Sequence, residues 1–149
     1  MSASDLYQKI VLDHARAPRN FGKLPDHTHA ADGINALCGD TLHAELRCVN
    51  GRVEAIRFSG ESCAITRASA SMLSECAANR TRGEIAQLRQ QFARLIQGEI
   101  EGESFMGPLG ALGELRSYPG RRKCALLPWA TLFAALDGDA TVSTEARAE

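Results

Sequence analysis

A change of period at Gly60 constrains this chain more than any other feature. Before it, Leu42, Ala44, Leu46 and Cys48 alternate with Thr41, His43, Glu45 and Arg47, residues 53–58 form a second extended run, and Asn50-Gly51 lies between the two. Alternation sends successive side chains to opposite faces of a strand, and an Asn-Gly pair supplies the positive φ angles of a type I′ turn. A β-hairpin is therefore expected. After Gly60, Ile65, Ala68, Met72 and Cys76 recur at helical spacing as far as Ala78, and residues 81–97 carry Ile85, Leu88, Phe92 and Leu95 on one side. The first half reads as strand and the second as helix.

The flanks fit this division. Leu6 and Ile10, with Leu12 and Ala15, give residues 4–17 one amphipathic helix that Pro18 stops, and a weaker third strand is expected over residues 32–37. Residues 98–113 hold six glycines or prolines and read as a loop with short helical pieces. Residues 125–136 are apolar nearly all round and should be a buried helix. Pro128 lacks an N–H, so the regular part of that helix is expected to begin near Leu127 with Pro128 at its first position. One domain over residues 1–137 is expected, with residues 138–149 as a mobile C-terminal tail that has almost nothing to bury.

Composition narrows the function. With 44% hydrophobic and 23% charged residues the chain should fold, and its net charge of -1 argues against binding nucleic acid by neutralising phosphates. Neither a signal sequence nor a membrane span is visible, so a cytoplasmic protein without membrane contact is expected. In a reducing cytosol, five cysteines point to metal binding or thiol chemistry rather than disulfides.

Three of those cysteines sit where elements meet. Cys38 opens Cys38-Gly39-Asp40 just before the hairpin, Cys63 follows the hairpin at the mouth of a helix, and Cys124 precedes the last helix. Gly39 lets the chain bend so that a thiolate and a carboxylate point to one spot. Three thiolates and a carboxylate suffice for tetrahedral zinc, and the same soft sulfur suits iron or an iron-sulfur cluster. A helix start favours the thiolate at Cys63, and Arg121, Arg122 and Lys123 are expected to lower the pKa of Cys124. Cys48 and Cys76 share faces with apolar residues and are expected to pack in the core. His14 is expected to serve its helix end as a cap or dipole partner. No phosphate loop, Ser-His-Asp set or paired-carboxylate pattern appears.

These residues, in order, carry a resemblance. Asp13-His-Ala-Arg-Ala-Pro-Arg-Asn-Phe-Gly22, Cys38-Gly-Asp40, the run from Gly60 through Cys63 to Ser71, and Lys123-Cys-Ala125 resemble the motifs of the IscU/NifU N-terminal family of iron-sulfur cluster assembly proteins. The resemblance implies an α+β fold, a small antiparallel sheet of about three strands packed by helices. It also implies a metal or cluster site at Cys38, Asp40, Cys63 and Cys124. Lys123 stands where the scaffold branch has histidine, the Leu-Pro-Pro-Val-Lys chaperone motif is missing, and the interval before Cys124 carries an extra stretch around residues 87–108. These departures resemble the SufU branch. They imply a zinc-associated protein that accepts persulfide sulfur from a SufS-type cysteine desulfurase, with Cys38 as acceptor, and passes it toward downstream cluster assembly proteins. Such a protein is a sulfur-transfer partner rather than a stand-alone enzyme. Two alternatives stay open: a scaffold that assembles a [2Fe–2S] cluster or binds iron on the same residues, and a zinc-stabilised binding module.

Overall fold

The computed structural model describes residues 2–101 and 107–144. Helix α1 (Ala3–Arg16) starts at a capping box between Ser2 and Asp5, two residues before the expected start. Strands β1 (His29–Asn35), β2 (Asp40–Val49) and β3 (Arg52–Ser59) follow, then α2 (Ala64–Ala77), the short β4 (Arg80–Thr81) and α3 (Arg82–Ile96). A 3-10 segment over Gly107–Ser117 begins within the stretch expected to hold short helical pieces, residues 98–113, and runs past its end; residues 102–106 lie outside those described. Helix α4 (Arg122–Leu136) and β5 (Thr141–Ser143) complete the chain.

The sheet order is β4-β3-β2-β1-β5. The expected antiparallel β2–β3 hairpin turns at Asn50 and Gly51, whose φ angles of 54° and 78° are those the turn demands. The class is the expected α+β, but the sheet has five strands rather than about three and is mixed, because β5 pairs parallel to β1. Thr141–Ser143 thus belong to the sheet and not to a mobile tail; residues 145–149 lie outside those described. The main chain makes this strand: Asp32 N–H donates to Ala140 and Thr144 N–H to Ile34, bonds that need no apolar side chain.

Helices cover one face of the sheet. Leu42, Ala44 and Leu46 from β2 and Val53, Ile56 and Phe58 from β3 are buried with Leu73, Leu127 and Trp129, and Trp129 stacks on Phe92 of α3 at 5.1 Å. Cys48 and Cys76 pack half-buried against this core. His14 does not cap its helix. It is buried, and its Nδ1 meets Ser71 Oγ at 2.8 Å, pinning α1 to α2.

Helix α4 lies against β1 because Gly33 has no side chain. A Cβ there would stand 2.0 Å from Thr131 Oγ1 and 3.1 Å from Leu127 Cδ1. Gly33→Ala is therefore expected to push α4 off the sheet and to cost about 3 kcal/mol, the upper end of the usual overpacking range, read as a lower denaturant midpoint with unchanged slope.

Pro128 sits in the interior of α4 rather than at its first position. The carbonyl of Cys124 loses the N–H that residue 128 would have donated, and Thr66 Oγ1 of α2 lies 3.0 Å from it. Ser69 Oγ donates to the next carbonyl, that of Ala125, at 2.7 Å. The Thr66 hydroxyl thus supplies the one donor that the proline removes, the Ser69 hydroxyl adds a second tie between α2 and α4, and the helix runs through.

Candidate metal centre

The site lies where the β1–β2 turn meets the starts of α2 and α4. Residues 36–39 form the turn, with Gly39 at φ +70° and Cys38 N–H donating to Asn35 O at 3.3 Å. Cys38 is exposed at its tip. Asp40 begins β2 opposite Asn35 and is only 2% exposed, so its carboxylate points inward. Cys63 is the N-cap residue of α2, and Cys124 is the third residue of α4 and fully buried.

Cys38 Sγ stands 3.2 Å from Cys124 Sγ, and one Asp40 oxygen lies within 4.8 Å of both sulfurs. Cys63 also adjoins Cys124. Its sulfur is hydrogen-bonded to the Cys124 thiol and lies 3.4 Å from Thr66 Oγ1, but it is not in the compact group of three. Asp40 is held by α2: Oδ1 accepts the Cys63 N–H at 2.7 Å and Oδ2 lies 2.8 Å from Thr66 Oγ1. Of the four side chains expected at the site, Cys38, Asp40 and Cys124 come together in one group, Cys63 lies beside them and is tied to Asp40 through its N–H, and Cys48 and Cys76 pack against the core.

The proton distribution among these thiols differs from expectation. The hydrogen bond with Cys124 is the main reason that the Cys63 pKa falls to about 5; burial opposes it and Thr66 assists. The same bond, with burial and the neighbouring Cys38, pushes the Cys124 thiol up rather than down. The basic run does not offset this, because its side chains diverge. Arg122 donates to the carbonyls of Leu115 and Arg116, and Lys123 lines a separate groove beside Arg89 and Phe133. Arg121 is the cation of that run that faces the site. Burial works against its charge, yet Cys63, Cys124, Cys38 and Asp40 hold its pKa above the usual value.

Two residues here carried no signal in the sequence as site residues. Asn35 is fully buried, with Nδ2 3.8 Å from Cys124 Sγ and Oδ1 without a hydrogen-bond partner among the described residues. Thr66 is also fully buried, and its hydroxyl touches three of the four converging residues. Ser62 Oγ, next to Cys63 in the chain, is likewise buried without a hydrogen-bond partner among the described residues. The two sulfurs and the carboxylate of Cys38, Cys124 and Asp40, with the Cys63 sulfur beside them, are a donor set that fits a thiophilic divalent cation.

Residues 6–136 match the family model described as the NifU-like N terminal domain. The chain belongs to that family. Among relatives of this NifU-like domain, the iron-sulfur cluster assembly scaffold protein IscU of Thermotoga maritima is 33% identical over 131 residues, covering 88% of this chain and 92% of the relative. The zinc-dependent sulfurtransferase SufU of Bacillus subtilis is also 33% identical, over 128 residues, covering 85% and 86% respectively. Among solved structures, an iron-sulfur cluster assembly scaffold protein for the SUF system from Fervidobacterium islandicum superposes with a TM-score of 0.81 at 27% identity, covering 91% of this NifU-like domain and 99% of that chain. The family expected from the motifs is the one found, and its α+β architecture agrees. No helix among the described residues is long and apolar enough to cross a membrane.

Proposed function

We propose that this NifU-like domain is an iron-sulfur cluster assembly protein of the sulfur-accepting kind, which takes persulfide sulfur from a SufS-type cysteine desulfurase onto Cys38 and releases it to downstream assembly proteins. The observation that carries the reading is the graded exposure of the three sulfurs. Cys38 is exposed on a glycine-bearing turn, Cys63 is half-buried at a helix cap, and Cys124 is buried. The first is the sulfur-bearing residue best placed to meet a sulfur presented by another protein without any opening of the fold. The 33% identity to a relative named as a zinc-dependent sulfurtransferase points the same way.

Zinc held by Cys38, Asp40, Cys63 and Cys124 would keep the thiols deprotonated and protected from oxidation. Transfer itself is a thiol–persulfide exchange. The Cys38 sulfur forms a bond to the terminal sulfur of the desulfurase persulfide, the bond between that sulfur and the desulfurase cysteine breaks, and the cysteine leaves as thiolate. No net oxidation or reduction occurs. The exposed turn with Gly39 presents Cys38 at the surface, and Arg121, which faces the thiols and Asp40, compensates their negative charge.

The test is anaerobic purification with metal and acid-labile sulfide analysis, followed by a desulfurase assay. Zinc at one per protomer, no sulfide, and faster alanine release by the desulfurase are the expected results. Bound iron and sulfide without stimulation would establish the scaffold reading instead, and zinc without stimulation would leave a binding module.

A further inference from the structure

Thr66 stands closer to the four converging residues than the needs of helix α2 explain. Its Oγ1 lies 2.8 Å from Asp40 Oδ2, 3.0 Å from the main-chain oxygen of Cys124 and 3.4 Å from Cys63 Sγ. The residue is fully buried, so no water competes for these contacts. A hydroxyl carries one proton, whereas the carboxylate and the carbonyl are both acceptors. Thr66 can fully satisfy only one of them at a time.

We propose that Thr66 is the positioning residue for Asp40, that its single proton is shared between the Asp40 carboxylate and the Cys124 carbonyl, and that Pro128 creates this sharing. In an unbroken helix the Cys124 carbonyl would accept from the N–H four residues on, but residue 128 is proline. The orphaned carbonyl is buried and draws on the nearest donor, which is Thr66. The next carbonyl, that of Ala125, keeps the N–H of Trp129 four residues on and takes the Ser69 hydroxyl besides, so it makes no claim on Thr66; the two close acceptors are the Cys124 carbonyl and Asp40, with the Cys63 sulfur at the longer 3.4 Å. Asp40 Oδ1 is already fixed by the Cys63 N–H. The Thr66 contact at Oδ2 therefore sets the rotation of the carboxylate and decides which lone pairs face Cys38 and Cys124. The inference rests on the reading of Asp40 as a metal ligand and adds what controls it: a sequence-remote hydroxyl whose hold is weakened by a proline in another helix.

The experiment follows zinc transfer from the loaded protein to a chromogenic chelator, with the absorption spectrum of the cobalt(II)-substituted protein as a second readout. Thr66→Val keeps the shape and removes the hydroxyl, and is expected to speed zinc loss about tenfold and alter the cobalt spectrum, as loss of a hydrogen bond to a ligand does. Thr66→Ser should restore both. Pro128→Ala returns an N–H to the Cys124 carbonyl, freeing the Thr66 proton for Asp40, and should slow zinc loss. In an Asp40→Ala background, Thr66→Val should add nothing. Equal effects of Thr66→Val with and without Asp40, failure of serine to rescue, or faster loss in Pro128→Ala would each overturn the proposal. If the valine variant does not fold, as judged by thermal melting, the direction of the Pro128→Ala effect decides. An unmodified protein that binds neither zinc nor cobalt would instead refute the ligand reading itself.

Discussion

Cys38→Ser is expected to abolish stimulation of the desulfurase while leaving the domain folded. Cys38 lies on the exposed turn between β1 and β2, outside the core, and serine keeps its size and its main-chain bond to Asn35. Little packing is lost, so the melting temperature of the metal-free variant should stay close to that of the unmodified protein. The chemistry is lost because a serine hydroxyl is almost wholly protonated at neutral pH and cannot displace a thiolate from a persulfide as a cysteine thiolate does. Alanine release by the desulfurase, measured with an excess of the variant, should fall to the rate without any acceptor. A folded variant that still stimulates fully would move the acceptor to Cys63 or Cys124, both of which the fold shields more deeply.

What the sequence reveals and what it hides follow one physical division. The hairpin and the apolar faces of α2 and α3 were legible because local signals decide them: positive φ at Asn50 and Gly51, and apolar residues at helical spacing. The grouping of Cys38, Asp40 and Cys124 was legible because each lies at or near the boundary of an element. Strand β5 was not, since it is held to β1 by main-chain bonds and carries no apolar pattern. Pro128 misled for a related reason. Local rules put proline in the first turn of a helix, but Thr66, distant in sequence, donates to the carbonyl that Pro128 leaves open. Asn35 and Thr66 act through contacts to Cys124 across 89 and 58 positions, which no window of sequence contains. The pKa order of Cys63 and Cys124 was hidden likewise, because it depends on which basic side chains turn toward the site and on a bond between the two sulfurs.

Loss of metal is the second large effect expected. Cys63→Ser should purify with almost no zinc, whereas Cys48→Ser and Cys76→Ser should keep one per protomer. Cys63 is placed by the N-cap of α2, where helix N–H groups favour its thiolate, and its sulfur meets Cys124, while Cys48 and Cys76 lie half-buried in the core away from the site. In the same two core positions burial raises the thiol pKa, to about 11 for Cys76, so neither is a thiolate at neutral pH and neither can replace a lost ligand. Asp40→Ala should behave differently from Cys63→Ser. It removes the one oxygen donor and leaves three thiolates with a position open to water, a set that still binds zinc but exchanges it at a different rate. Its cost shows in folding as well, because the Cys63 N–H and the Thr66 hydroxyl both lose a buried partner. Inductively coupled plasma analysis of the purified variants, with thermal melting of each, separates the outcomes. Stoichiometric zinc in Cys63→Ser would remove that residue from the site, and zinc lost from Cys76→Ser without loss of the fold would move the site altogether.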